Sequence, residues 1–402
     1  MRISTVFCMT TTKSLRTAAL PAALLSAAAL ALTGCAADPS PSEPTSTATE
    51  RADGNRITLT YDGGLLVLDD DLRVLTDDAV DGFTRVNPAG DGRHVLVTVP
   101  SGFRVLDTAA DPALTDAVFP ADTGGHAVVH GDRTALFADG TGQVTTFDNT
   151  ELDGAELPDT ETTESEAAHH GVAIVLEDGT LLTTIGDEES RSGVRALDAD
   201  GKETTRSEEC PNVHGEGAVQ GDVAVFGCTD GALVYDDGAF TKLDAPTKYG
   251  RTGNLFTTDT SSIALGDYND DPDSEGYLLH QIALIDAASG SYRVADVPDG
   301  VGYTFRDLAR GPEDEAVVLG DDGALHTFDT TSGELLDSFP VIDPWEGPAE
   351  WQDAHPALKV AGDVAYVTDP AERRVHAVDL TTGETIASSD VLPGVPNEMA
   401  IA

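Results

Sequence analysis

Leu66-Val67-Leu68-Asp69 is a short apolar strand closed by an aspartate, and its like returns seven more times along the chain. The copies are Arg104-Val105-Leu106-Asp107, Thr145-Thr146-Phe147-Asp148, Arg195-Ala196-Leu197-Asp198, Leu233-Val234-Tyr235-Asp236, Ala283-Leu284-Ile285-Asp286, His326-Thr327-Phe328-Asp329 and His376-Ala377-Val378-Asp379. Successive aspartates lie 38 to 50 residues apart. A period of ~40–45 residues containing several short strands is the mark of a β-propeller blade. Around each copy the chain offers a strand ending in Gly-Asp or Asp-Gly, a second strand, the motif, and a last strand. Turns such as Thr331-Ser332-Gly333 and Thr381-Thr382-Gly383 separate the motif from that last strand. No stretch sustains a 3.6-residue apolar period, so helix content is expected to be very low.

The first unit lacks its innermost strand, while the chain ends on an orphan segment, Asn397-Glu398-Met399-Ala400-Ile401-Ala402. Pairing that tail with the first blade closes the ring and leaves no open sheet edge. The expected fold is therefore all-β: a single propeller of eight blades over residues 56–402, closed by the C-terminal strand. Seven blades is the alternative. A monomer is expected.

The chain of 402 residues carries 71 Asp+Glu against 23 Lys+Arg, a formal net charge of −48, with 40% apolar residues. Such acidity repels phosphate and excludes nucleic acid as a principal partner. The apolar fraction is that of an ordinary folded domain, which excludes disorder of the whole.

Residues 1–34 read as an address. Arg2, Lys13 and Arg16 precede an uncharged Ala/Leu-rich run that ends in Leu32-Thr33-Gly34-Cys35, the layout of a secretory signal closing on what resembles a bacterial lipobox. Cys35 would then be lipidated and become the new N-terminus. Two acyl chains suffice for stable anchoring, so the expected location is the outer face of the cytoplasmic membrane. A start at Met9 would place Cys8 outside the protein. Residues 35–55 hold too little apolar surface to bury and read as a lipidated, flexible tether.

Histidines fall where the central tunnel should be. His170 and His214 each stand eight residues before a turn aspartate (Asp178 and Asp222), as His355 does before Asp363, and His126 stands six before Asp132. The steps from His126 to His170 and from His170 to His214 are both 44 residues, one blade each. The three should lie on the innermost strands of neighbouring blades. Zinc binds imidazole nitrogen at ~2.0–2.1 Å in a tetrahedron, and three adjacent blades can bring ligands that close. His355 belongs to a blade across the ring. Glu216, two residues after His214 and hence on the same face of a regular strand, is a lesser candidate as fourth ligand or orienter. His169 is another, because a one-residue bulge would exchange it with His170. His94, His130, His280, His326 and His376 occupy turn or outer-strand positions.

Cys210 and Cys228 remain once Cys8 and Cys35 are assigned. Outside the cytoplasm they are expected to pair, pinning the loop that presents His214. The rival reading joins Cys210 and His214 in a metal pair. The acidic run of residues 267–275 lacks EF-hand spacing and reads as a solvated loop, with calcium the alternative.

The segments Ala168-His169-His170-Gly171-Val172-Ala173, Cys210-Pro211-Asn212-Val213-His214-Gly215-Glu216 and His126-Ala127-Val128-Val129-His130-Gly131 resemble corresponding stretches of AztD-type zinc metallochaperones. So does the stretch from Val360 to Pro370, and the resemblance extends over residues 56–402. It implies a β-propeller outside the cytoplasmic membrane that binds Zn²⁺ and passes it to the solute-binding protein of a zinc-importing ABC transporter. The positions it matches are His126, the His169-His170 pair, His214 and the two cysteines. Members often carry a mobile His/Asp-rich segment that assists transfer; here no histidine lies between Cys35 and His94. The expected function is thus non-enzymatic. The alternatives are a metal-free propeller scaffold or ligand-binding surface lipoprotein, and a zinc hydrolase with Glu216 as general base.

Overall fold

Eight four-stranded antiparallel sheets make up the fold, in a computed structural model that describes residues 54–274 and 276–402. The expected leader at 1–34, the lipidation site Cys35 and nearly all of the tether at 35–55 lie outside the described residues. In seven sheets the strands run in sequence order from the tunnel outward, the eighth takes its innermost strand from the C-terminus, and all eight copies of the repeated motif are third strands. The eight-bladed reading holds. Innermost strands touch in unbroken succession around the ring, and the last touches the first.

Closure occurs as the sequence suggests. Blade 1 takes Ile57–Tyr61, Gly64–Leu68 and Val74–Ala79 from the N-terminal side and Met399–Ile401 as its innermost strand. Ile57 pairs with Ile401 and Leu59 with Met399. Main-chain bonds between Arg56 and Ala402 and between Thr60 and both Asn397 and Glu398 extend the seam.

The motif aspartate recurs for a local reason. In seven blades its carboxylate accepts main-chain N–H bonds from the turn that follows: Asp69, Asp107, Asp148, Asp198, Asp286, Asp329 and Asp379. These bonds mimic a backbone turn and fix the third strand to the fourth. Asp236 is the exception, because its blade turns in two residues, Asp237 (φ 44°) and Gly238 (φ 81°). Positive φ at both is the type I′ geometry that suits strand twist.

The core is divided among the boundaries. Eight apolar clusters occur, one between each pair of neighbouring blades. On strand Gly231–Asp236, Leu233 and Tyr235 pack toward blade 4 while Ala232 and Val234 pack toward blade 6. Successive side chains point to opposite faces of a strand, and here both faces are covered. That is why Leu233-Val234-Tyr235 reads as an unbroken apolar run. Helix is confined, among the described residues, to one 3-10 turn at Asn149–Glu151.

Candidate metal centre

Three blades deliver the site. His126 lies within the inner strand of blade 3 (Gly124–His130) and His214 opens that of blade 5 (His214–Val219). His170 departs from the expectation: it sits in the segment leading into the inner strand of blade 4 (Ala173–Val175), not on the strand. One ligand atom from each of the three lies within 4.8 Å of the others, and the ring centroids are 4.8–5.1 Å apart.

Local sequence aims His214. Pro211 and Asn212 occupy the centre of a turn in which the Val213 N–H returns to the Cys210 carbonyl. Asn212 takes φ 49°, the left-handed value that Asn tolerates after proline in a type II turn. Gly215, at φ 73°, is then the extra residue of a bulge: His214 faces Gly227 while Glu216 faces Phe226. A Cβ on Gly215 would come within 2.9 Å of the Gly253 carbonyl oxygen, so only glycine allows the approach. The bulge corrects the regular-strand argument for Glu216. His214 turns toward His170, while Glu216 Oε1 reaches within 3.8 Å of His126 Nδ1. The Cys210–Cys228 disulfide is present directly beside this turn, which removes Cys210 from the ligand set.

The hydrogen bonds fix two tautomers. His170 donates its Nδ1–H to Asp139 Oδ2 at 2.6 Å, and His214 donates its Nδ1–H to the Gly253 carbonyl. Their Nε2 lone pairs are left facing each other across 3.0 Å. Two neutral imidazoles repel in that arrangement, so a proton or a metal ion belongs between them. Tetrahedral zinc at ~2.0–2.1 Å from each nitrogen sets N···N near ~3.3 Å, close to what these two already offer. His126 would move inward by up to ~1.5 Å to join them; its Nε2 is buried and has no hydrogen-bond partner among the described residues.

Each partner is held in turn. The buried Asp267 carboxylate accepts from the Gly253 and Asn254 N–H groups and from Asn254 Nδ2, fixing the carbonyl that receives His214. Asp270, Asp271 and Asp273 are exposed, and bonds within the loop such as Asp271 N–H to Asn269 Oδ1 occupy it. Burial pushes the His126 and His214 imidazoles well below the ordinary histidine range, aided by Arg85 at His126 and by His126 at His214. Burial raises the Glu216 carboxyl to about 7, against the pull of Arg85.

The other histidines stay apart. His169 is buried, with Nδ1–H donated to the Ala167 carbonyl and Nε2 bonded to Thr184 Oγ1, so no bulge exchanges it with His170. His355 packs on Phe305 and bonds to the Asp353 carbonyl. His130 ends its strand against Asp222 at 2.7 Å. Asp139, the Gly253 carbonyl and Arg85 had no signal in the sequence. Asp139 reads there as one more Asp-Gly turn, although Gly125 marks it in space: a Cβ on Gly125 would lie 2.1 Å from Asp139 Oδ1.

His170 and His214 open onto a cavity of ≈ 390 Å³ walled by Arg85, Arg251, Asn254, Phe305 and Trp351. His126 and Glu216 face ≈ 220 Å³ of the central tunnel together with Arg85, Arg306, Lys359 and Glu398.

No model of a known protein family matches the chain. It is 27% identical over 226 residues to the zinc chaperone AztD of Citrobacter koseri, a match that takes in 54% of this chain and 51% of that protein. The aligned part thus spans about half of the relative's length. Two solved structures share the fold across nearly their whole length. Apo AztD from C. koseri superposes with a TM-score of 0.71 at 22% identity, covering 87% of this chain and 97% of that one. A crystal structure of C. koseri AztD gives 0.72 at 21%, with the same coverage. The resemblance to AztD-type proteins seen in the His-His-Gly and Cys-Pro-x-x-His-Gly-Glu segments is therefore found again in an alignment over half of the chain and in the eight-bladed fold.

Proposed function

We propose that this protein is an extracytoplasmic zinc metallochaperone that binds Zn²⁺ through His126, His170 and His214 and hands it to the solute-binding protein of a zinc ABC importer. The observation that carries the reading is the pair of Nε2 atoms facing each other at 3.0 Å while both Nδ1–H groups are committed elsewhere. Similarity to the zinc chaperone AztD supports the same reading. Glu216, beside His126, orients that ring or supplies a fourth ligand; His169 stays out of the set. The leader at 1–34, lipidation at Cys35 and the tether at 35–55 would hold the propeller at the outer face of the membrane. Its acidity would raise the local concentration of divalent cations.

The test is metal content of the protein purified without added metal, followed by zinc titration against a competing chelator. His126→Ala, His170→Ala and His214→Ala should each weaken binding far more than His355→Ala or His376→Ala. Equal and small losses throughout would overturn the site and favour a metal-free scaffold. A hydrolytic reading has one observation in its favour, a buried carboxyl raised to about 7 beside the histidines, which is suited to a general base. Zinc-dependent ester or peptide hydrolysis abolished by Glu216→Gln would establish it.

A further inference from the structure

Three cations meet in the tunnel of a chain whose net charge is −48: Arg85, Arg306 and Lys359 line one cavity together with His126, Glu216 and Glu398. They come from three blades. Arg85 precedes the inner strand of blade 2 (Val86–Pro88), Arg306 stands just before that of blade 7 (Leu308–Arg310), and Lys359 lies on that of blade 8 (Leu358–Ala361). Met399–Ile401 of blade 1, with Glu398 before it, runs between blades 8 and 2.

Their commitments differ. Arg306 is buried and bonds to Asn397 Oδ1, the Trp351 carbonyl and, at 2.7 Å, Glu398. Among the described residues its Nε has no hydrogen-bond partner. Among the described residues, the Arg85 guanidinium and the Lys359 ammonium have neither a hydrogen bond nor an ion pair. Both are half-buried. Burial pushes the Lys359 ammonium down, and the nearby Arg306 and Arg85 add to this against the pull of Glu398. Like charges drawn out of water without direct partners are costly; the two carboxylates of the cavity, Glu216 and Glu398, act on Arg85 and Lys359 only through space, and the one ion pair Glu398 makes is with Arg306.

We infer that the tunnel beside His126 is a binding site for a small dianion, a dicarboxylate or sulfate, held by Arg85 and Lys359 with Arg306 fixing the wall. The cavity sets three cations against two carboxylates, Glu216 and Glu398, and a dianion bridging Arg85 and Lys359 would give each the direct partner it lacks. The cavity of ≈ 220 Å³ admits a molecule of that size. Arg85 also borders the cavity onto which His170 and His214 open, so the anion and a metal at the histidines would share its field. The consequence for metal, which rests on the reading of the histidines as a zinc site, is a coupling of sites. A dication arriving beside Arg85 is repelled in the empty tunnel and attracted once the anion is in place. Linkage requires that zinc tighten the anion by the same factor.

The test uses sulfate as probe on the full-length protein. Calorimetry on metal-free protein should show one saturable sulfate site, lost in Lys359→Met and in Arg85→Gln, with the melting temperature monitored to confirm folding. At constant ionic strength, saturating sulfate should tighten zinc binding on the order of tenfold in the wild type, and not in Lys359→Met. Without sulfate, Lys359→Met should bind zinc at least as tightly as the wild type. Sulfate binding in a protein that takes no zinc would leave the anion site standing and overturn the chaperone reading instead. No saturable sulfate binding to metal-free protein, or binding in both variants as tight as in the wild type, would overturn the inference.

Discussion

Replacing Asp139 by Asn changes one atom and replaces the acceptor-only carboxylate that fixes His170 with an amide that can accept or donate. The carboxylate sits 2.6 Å from His170 Nδ1 and obliges that nitrogen to carry the proton, which leaves Nε2 as a lone pair toward His214. An amide can instead turn its NH₂ toward Nδ1, which moves the imidazole proton to Nε2, the position a metal needs. The variant also loses a negative charge one ring away from the cation. Loss of a carboxylate that orients a ligating histidine typically costs ~10–100-fold in metal affinity, about 1.4–2.7 kcal/mol. Chelator competition at neutral pH reads the effect. Asp222→Asn is the control, because it breaks a similar contact, 2.7 Å to His130, with a histidine outside the cluster. Asp139→Asn should weaken zinc by at least tenfold and Asp222→Asn by less than twofold. Equal affinities in the two variants would show that the His170 tautomer does not govern binding.

Other outcomes follow from the same geometry. Because burial holds His126 and His214 well below the ordinary range, they stay neutral just below pH 6.5, and log affinity for zinc should fall there with a slope well under three per pH unit; a slope of three would refute their burial. His355, lowered by burial to about 4, favours folding above its unfolded value near 6.5, a contribution of up to about 3 kcal/mol that is lost as pH falls toward 4. Apo-protein melting temperature should drop across that window, and less so in His355→Gln. Removing the Cys210–Cys228 bridge, which spans 18 positions, should cost about 3 kcal/mol of stability and weaken zinc by loosening the His214 turn, both measurable in Cys210→Ser/Cys228→Ser. Deleting residues 397–402 strips blade 1 of its inner strand and of the buried Met399; a melting temperature within 2 °C of the full chain would contradict closure of the ring by the tail. Cys35→Ser should release the protein from membranes; retention after a high-salt wash would refute the anchor.

The fold was legible because its signal is repeated. A single Leu-Val-Leu-Asp means little, but eight copies at blade spacing fix the architecture, and in seven of them the aspartate has a local reason, the turn it caps. The spacing of His126, His170 and His214 was legible for the same cause, since one blade between ligands places them side by side. What surrounds them was not. Asp139 lies 31 residues from His170 and Gly253 lies 39 from His214, and both contacts depend on where the segments flanking the inner strands place a loop group, which the repeat does not specify. Glu216 illustrates the limit from the other side. Counting two residues along a regular strand puts Glu216 on the face of His214, whereas the bulge at Gly215 sets it beside His126.

On the proposed reading, a chaperone must release what it binds, and the three histidines are unequally placed for that. His126 and His214 are carried by inner strands, and the His126 side chain is only 13% exposed. His170 is carried by the lead-in segment before its strand, and its side chain is 41% exposed. A ligand on a short loop at a solvent-facing cavity can swing out without disturbing a sheet, whereas the backbones of the other two are tied into their sheets. An incoming ligand from a receiving protein would therefore replace His170 first. The Asp139 carboxylate, itself exposed to 20%, would keep the departing ring in the tautomer that can rebind. Asp139→Asn should then speed zinc transfer to a chelator that acts by direct ligand exchange, measured by stopped flow, more than it speeds spontaneous dissociation. If both rates rise by the same factor, His170 is not the point of exchange.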